Sequence, residues 1–116
     1  MILLNLLISN KEQIDKIINV LLTNKYATNV ILGNPEQAHS LNTENVVEHS
    51  VIYKLQFATK SLLFSEIEAS LAREFPHKEF YIYATPIVQT TTRFFDRIKN
   101  SVKALNVLNK KKIDNQ

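Results

Sequence analysis

The sequence predicts an α+β fold, and two observations support this prediction. Four segments are apolar throughout or alternate apolar and polar residues, as β-strands do, whereas three others repeat apolar residues every three to four positions, as helices do. Their order along the chain is β-α-β-β-α-β, followed by a terminal helix. Right-handed crossovers turn this order into a ferredoxin-like plait, in which a four-stranded antiparallel sheet carries both main helices on one face.

The first half of the chain supplies two strands and one helix. Residues 2–8 are apolar at nearly every position, which predicts a central strand covered on both faces. A helix follows, because Ser9 and Glu12 have the spacing of a capping box and the next residues form one apolar stripe. The stripe consists of Ile14, Ile17, Ile18, Leu21 and Leu22. A second strand is predicted over residues 26–32, ending at the turn residues 33–35.

The second half supplies the other two strands and a second helix. Residues 46–59 predict a long strand with one strongly apolar face, and the polar residues 36–45 before it suit a loop or an irregular strand extension. A helix is predicted over residues 61–75 and ends before Pro76. Its apolar face consists of Leu63, Ile67, Leu71 and Phe75. Residues 79–88 then predict the fourth strand.

The chain is predicted to end in a third helix and a tail. The helix covers residues 90–109, and its apolar stripe consists of Phe94, Ile98, Val102, Leu105 and Leu108. We expect one domain over residues 1–109, including this helix. Residues 110–116, which begin with three lysines, are expected to form a basic, flexible tail.

Composition excludes several classes of protein. The 116 residues include no cysteine, which rules out disulfides and thiolate metal sites and fits a reducing cytoplasm. Gly33 is the only glycine, so a glycine-rich phosphate loop cannot be built. No segment approaches the roughly 20 apolar residues that cross a bilayer, and the apolar start lacks the basic region of a signal peptide. We therefore expect a cytoplasmic protein with no membrane partner.

One face of the predicted sheet is left without a helix. Tyr81, Tyr83 and Thr85 share one side of the fourth strand, and a sizeable apolar area exposed to water usually marks an interaction surface. The long hairpin between the second and third strands also offers edges that could pair between chains. We therefore expect a homo-oligomer. The candidate residues for its interface, or for an exposed sheet platform, are Tyr53, Tyr81 and Tyr83.

A family resemblance is carried by the segment EFPHKEFYIYATPIV, residues 74–88. It aligns without gaps with the HPYEVPEIIALPV region of the CutA-type divalent-cation tolerance proteins, which it matches at Pro76, Ile82, Ala84 and Pro86. Upstream, LLTNKYATNVIL resembles the family's LLEERLAACVNI, and downstream FFDRI occupies the place of its YLxWI. The resemblance spans nearly the whole predicted plait and is carried mainly by pattern and spacing.

The resemblance implies a cytoplasmic homotrimer whose open sheet faces pack around a three-fold axis, as in the related PII-type signalling proteins. It also implies a role in the response to divalent metal ions such as copper, with no other cofactor and no catalytic activity. The polar hallmarks of the family differ here. Its His-Pro-Tyr-Glu is Phe75-Pro76-His77-Lys78, and its cysteine is Thr28, so these side chains do not carry over.

His77 is the sharpest candidate for a metal ligand. Imidazole commonly binds zinc or copper, and the carboxylate of Glu79 is close in sequence. A metal site needs three or four converging ligands, however, and Lys78 places a positive charge between these two. The alternative is a surface histidine in the turn that leads into the fourth strand. His39 and His49 are too far apart in sequence to form a recognised ligand spacing.

Two binding functions remain as alternatives. In a PII-like sensor, clefts between subunits hold a small ligand. The candidate residues for such a cleft are Lys60, Lys78 and Arg93. RNA-recognition domains share this element order and stack bases on sheet aromatics. The rings of that platform would be Tyr53, Phe57, Tyr81 and Tyr83. The third strand lacks the basic-glycine-aromatic signature of such domains, which argues against a nucleic-acid partner.

No motif brings a nucleophile, a base and an orienting acid together, so we predict no enzymatic activity. The sequence thus predicts a CutA-like, non-enzymatic oligomer with a regulatory or divalent-cation tolerance role. Its main partner is a second copy of itself, and a small ligand or another protein remains open as a further partner.

Overall fold

A computed structural model describes residues 1–76 and 80–104 of the chain. The described residues form five strands and three helices, and short 3-10 turns at Lys11–Gln13 and Ser61–Leu63 lead into the first two helices. The elements are β1 (Ile2–Ile8), α1 (Ile14–Thr23), β2 (Ile31–Leu32), β3 (Glu36–Leu41), β4 (Val47–Thr59), α2 (Phe64–Glu74), β5 (Tyr81–Pro86) and α3 (Thr92–Ser101). This order confirms the predicted α+β plait.

The antiparallel sheet has five strands, so the prediction of four is wrong. Its main path runs in the order β2-β4-β1-β5, and β3 pairs with the N-terminal half of β4. The central strand β1 lies between β4 and β5, so Leu6 is opposite Leu55 on one side and Ile82 on the other. The predicted central position of residues 2–8 is therefore confirmed.

The additional strand β3 lies in the segment that reads as a loop or strand extension. Its residues, EQAHSL, are mostly polar and nearly all exposed, so no apolar alternation marks the strand. Its stability comes instead from backbone pairing along Val47 to Ile52, which extends the hairpin beyond the sheet path. A strand held by main-chain hydrogen bonds without a buried face gives only a weak sequence signal.

The core lies between one sheet face and the helices. Leu4, Leu6 and Ile8 of β1 are almost completely buried on this face, and their alternation along the strand follows from its two-residue repeat. The helices contribute one apolar stripe each to the same cluster. These side chains are Ile14, Ile17 and Leu21 of α1, Ile67 and Leu71 of α2, and Ile98 of α3. Most of each predicted stripe within the described residues therefore packs in the core, whereas Leu22 of α1 is 38 % exposed.

Two element starts differ from the predicted ones because side chains satisfy backbone groups. The helical segment begins at Asn10, whose Oδ1 accepts a hydrogen bond from the Glu12 amide at 3.0 Å, so the predicted capping box at Ser9 is wrong. The second strand covers only Ile31–Leu32. The earlier Tyr26 is buried, and its carbonyl accepts from the hydroxyl of Thr59 at 2.7 Å instead of joining a ladder.

The third helix is shorter than predicted at its C-terminal end. It begins at the cap Thr91, whose hydroxyl accepts from the Phe94 amide, and it ends at Ser101. Val102 is buried in an extended conformation after the helix. Leu105, Leu108 and the predicted tail lie outside the described residues. The described helices have only 10 or 11 residues, and none has the length and apolarity needed to cross a membrane.

Candidate functional site

The sheet presents a second face, on the side opposite helices α1 and α2. Residues that are directly opposite in an antiparallel pair point to the same side, so the register defines this surface. It consists of Leu3, Asn5, Leu7, Ile31, Lys54, Gln56, Ala58, Tyr81, Tyr83 and Thr85. We call it the open face. Phe94 of α3 reaches one end of it and lines a cleft of about 280 Å³ with Leu3 and Ala58.

A polar pair lies at the centre of the open face. Asn5 of the central strand is only 3 % exposed, and its Oδ1 accepts a hydrogen bond from Gln56 Nε2 at 2.6 Å. On its other side Asn5 is opposite Tyr83. Because the two amides satisfy each other, they can be covered by another surface at a smaller desolvation cost than unpaired groups.

Large apolar side chains flank this centre at both edges of the sheet. Tyr81 is 65 % exposed and Tyr83 is 44 % exposed on β5, and Ile31 is exposed on β2 at the opposite edge. Exposed apolar groups that share one sheet face, around a polar pair that is already satisfied, are typical of an interaction surface.

The aromatic residues considered as an RNA-binding platform do not share one face. Tyr53 and Phe57 are opposite Ile8 and Leu4, which places them on the helix side, where Phe57 is buried. Tyr81 and Tyr83 lie on the open face. Stacking of bases requires exposed rings on one surface, so only two of the four rings are placed for it.

Within one subunit, two of the residues proposed to line a cleft between subunits, Lys60 and Arg93, lie at opposite ends of α3. Lys60 is half-buried and its Nζ donates to the carbonyl of Val102 at 2.8 Å, at the C-terminal end of α3. Arg93 is exposed in the first turn of the same helix. A helix of this length separates its ends by about 14 Å. The other candidates, His77, Lys78 and Glu79, lie outside the described residues.

A second lysine fixes the same end of α3. The Nζ of Lys103 lies 2.6 Å from Glu66 Oε2 of α2, and its amide donates to the carbonyl of Lys25 at 2.7 Å. The hydrogen bond to Glu66 raises the pKa of Lys103. Together with Lys60, these contacts give the basic side chains a structural role in holding α3 against the rest of the protein.

One cleft in the described part of the chain offers no acid–base chemistry. It has a volume of about 710 Å³ and lies beside the loop between β5 and α3. The described residues that line it are Met1, Ile87, Val88, Gln89, Thr90, Thr91, Thr92 and Phe95. They include no carboxylate, imidazole or lysine side chain, so this cleft gives no support to general acid–base catalysis.

The structure brings together two histidines that the sequence spacing kept apart. His39 of β3 and His49 of β4 are directly opposite in the hairpin, with ring centroids 4.4 Å apart and planes at 87°. Both side chains are exposed. Their equal distance from the turn at residue 44 is the sequence signal that would have paired them, once β3 is recognised as a strand. Within residues 1–76 and 80–104, no three histidine or acidic side chains cluster as metal ligands.

The comparisons with known proteins agree on one fold. No family model matches the sequence, and no curated protein matches it either. A CutA from Archaeoglobus fulgidus, called a periplasmic divalent cation tolerance protein, is 22 % identical, with a TM-score of 0.77 over 89 % of this chain and 100 % of that one. CutA1 from the psychrotrophic bacterium Shewanella is 18 % identical, with a TM-score of 0.79 over 89 % and 95 %.

A plant protein gives the same result. CutA1 from Oryza sativa is 18 % identical, with a TM-score of 0.78 over 88 % of this chain and 93 % of that one. The agreement covers 88–89 % of this chain and 93–100 % of each of these three neighbours. The fold of this chain is therefore that of the CutA1 proteins, as the resemblance of its sequence to the CutA family predicted.

Proposed function

We propose that this chain is a divergent CutA-type protein that acts, as a homo-oligomer and without catalysis, in the tolerance of divalent cations. The observation that carries the proposal is the shared fold, which covers 88–90 % of this chain in the compared structures. Neighbours from an archaeon and from a bacterium are named for divalent cation tolerance.

The proposed assembly is a homotrimer formed through the open face. In support, Tyr81, Tyr83 and Ile31 expose apolar area on this face around the satisfied pair of Asn5 and Gln56. Native mass spectrometry of gently purified, untagged protein tests the assembly, since it weighs the oligomer and any bound ion together. A trimer supports the proposal, whereas a monomer at micromolar concentration overturns it.

The cation role is tested by growth and by binding. A host that lacks its own CutA gene is complemented with this chain and grown in graded concentrations of Cu²⁺, with the empty vector as the control. Increased tolerance, together with Cu²⁺ binding by the purified protein, is the expected result. Absence of both overturns the proposed cation role while leaving the fold assignment untouched.

We propose the cytoplasm as the compartment, since a chain without cysteine needs no oxidising environment to fold. The Archaeoglobus neighbour is called periplasmic. Fractionation of the native cells, followed by detection of the protein with an antibody, decides between the two compartments.

A further inference from the structure

The histidine pair of the β3–β4 hairpin has the geometry of a two-ligand metal site. His39 and His49 are opposite residues of an antiparallel pair, with ring centroids 4.4 Å apart. The Cβ atoms of such a pair are about 5 Å apart, and a metal–imidazole bond is about 2.0 Å long. Rotation of the two rings therefore lets one nitrogen from each reach a single ion. No described residue forms a hydrogen bond with either imidazole.

The hairpin turn fixes the register that brings the two rings together. The side-chain oxygen of Asn42 accepts hydrogen bonds from the amides of Glu44 and Val46, each at 2.9 Å. The Asn42 amide donates to the Val46 carbonyl at 2.9 Å, and Asn45 adopts a left-handed conformation with φ of 64°. Ligands placed on paired strands keep their separation better than ligands on a loop. The pairing of His39 with His49 is thus fixed before an ion arrives, and only the two rings have to rotate.

The charge of the hairpin favours a cation. Residues 33–53 contain three glutamates and no lysine or arginine, although the whole chain has a formal net charge of +3. The carboxylates of Glu36, Glu44 and Glu48 therefore produce a local negative field on a basic protein, and such a field raises the local concentration of cations. Both histidines are exposed, so an ion can enter without any movement of the core.

Ligand chemistry selects the ion. Neutral imidazole suits Cu²⁺, Zn²⁺ and Ni²⁺, whereas Mg²⁺ and Ca²⁺ require oxygen ligands. Of the first group, Cu²⁺ forms the most stable complexes and accepts a tetragonal set of nitrogen and oxygen ligands. The remaining positions around the ion fall to water or to an external group, because no third histidine or carboxylate completes a cluster in residues 1–76 and 80–104.

We propose that His39 and His49 form a cross-strand Cu²⁺ site on the hairpin, which binds one ion per subunit. The cation of the proposed function would bind at this site. The physiological role of the site rests on that function. Its location differs from the segment around His77, where the family resemblance places the family's motif.

The test is a titration of the untagged full chain with CuSO₄. Calorimetry measures the affinity and stoichiometry, and electron paramagnetic resonance identifies the ligand atoms. We expect one Cu²⁺ per subunit with nitrogen ligands. His39→Gln or His49→Gln each weaken binding by about tenfold or more, because the second imidazole then no longer adds its intramolecular contribution, and the double variant removes the site. The matched control is Ser40→Gln, which changes an exposed residue beside His39 and keeps both imidazoles, so binding should be unchanged. His77→Gln tests the other candidate ligand, and weaker binding by that variant would contradict the hairpin site.

The outcomes separate this site from the proposed function. If the double variant binds Cu²⁺ as tightly as the wild type, the hairpin site is wrong while cation binding elsewhere stands. If the wild type binds no Cu²⁺, both the site and the cation-binding part of the proposed function fail. Because both histidines are exposed, we expect the circular dichroism of the two single variants and of the double variant to match that of the wild type. A loss of copper binding then reflects the loss of a ligand and not of the fold.

Discussion

Replacement of the two exposed tyrosines of β5 tests whether the open face is the surface that assembles the protein. Tyr81→Thr with Tyr83→Thr removes both rings and keeps a side chain with high β-propensity. A tyrosine has a surface of about 200 Å², and the two rings are 65 % and 44 % exposed, so about 220 Å² is open in the isolated subunit. At 25 cal/mol per Å², full burial of this area contributes about 5 kcal/mol per subunit.

Threonine retains about a third of that area, so the double variant is expected to lose about 3 kcal/mol of association free energy per subunit. This corresponds to a roughly hundredfold increase in the dissociation constant. Sedimentation velocity over a range of micromolar concentrations measures the shift, since the variant should dissociate at concentrations where the wild type remains assembled. The far-ultraviolet circular dichroism of the subunit should be unchanged, because both rings lie outside the core.

The matched control is Leu62→Thr, which removes an apolar side chain that is 71 % exposed in the 3-10 turn before α2. Its assembly should equal that of the wild type. If the tyrosine variant and the control dissociate alike, loss of exposed apolar area in general is responsible. If neither changes the assembly, the open face is not the interface and the argument from its exposed rings is refuted.

Three further predictions concern contacts inside the subunit. Thr59→Val removes a buried hydroxyl that donates to a main-chain carbonyl at 2.7 Å, so chemical denaturation should show a loss of about 1–3 kcal/mol, and Thr59→Ser, which keeps the hydroxyl, should lose less. Asn10→Ala should cost about 1 kcal/mol through loss of the helix cap, whereas Ser9→Ala should be neutral; equal losses would contradict the assigned cap. Glu66→Gln should lower stability by less than about 1 kcal/mol, because the ion pair with Lys103 is partly exposed. Since the pKa of Lys103 is raised, that contribution is full below the ordinary lysine value of 10.5 and disappears as the pH rises through the raised value, so denaturation at neutral and strongly alkaline pH checks it.

The parts of the fold that could be predicted from sequence are those that bury an apolar face. The apolar stripe of α1 and the continuous apolar run of β1 both predict burial, and both elements do contribute side chains to the core. The errors occur where hydrogen bonds decide the backbone conformation and no apolar alternation marks it. Strand β3 is held by pairing with β4 and has no apolar alternation. The start of the second predicted strand is replaced by a loop, in which the Thr59 hydroxyl donates to the carbonyl of Tyr26. Neither feature leaves a hydrophobic period to be read.

The residues of the candidate site could likewise be predicted only in part from the sequence. The exposed side of β5 could be inferred from alternation alone, because Tyr81 and Tyr83 are two residues apart in one strand. The position of Tyr53 could not, since its face depends on the pairing of β4 with Ile8 of β1. The contact of His39 with His49 depends on one turn, set by the side chain of Asn42, and a register shift of one residue would separate the rings. Pairwise contacts between strands are a property of register, which apolar patterning specifies only where one face is buried.

The two proposed surfaces are physically separable, and this gives their tests independent meaning. Along β4, side chains alternate between faces, so His49 projects to the side opposite Gln56, which belongs to the open face. The histidine pair also lies in the part of β4 that pairs with β3, beyond the part that pairs with β1. Within one subunit the histidine pair therefore does not contact the open face. Substitutions in the two places should have additive effects on stability. Copper binding that survives dissociation of the oligomer would therefore place all protein ligands within one hairpin. Copper binding that is lost with assembly would require a ligand from a neighbouring subunit, at a coordination position that His39 and His49 leave open.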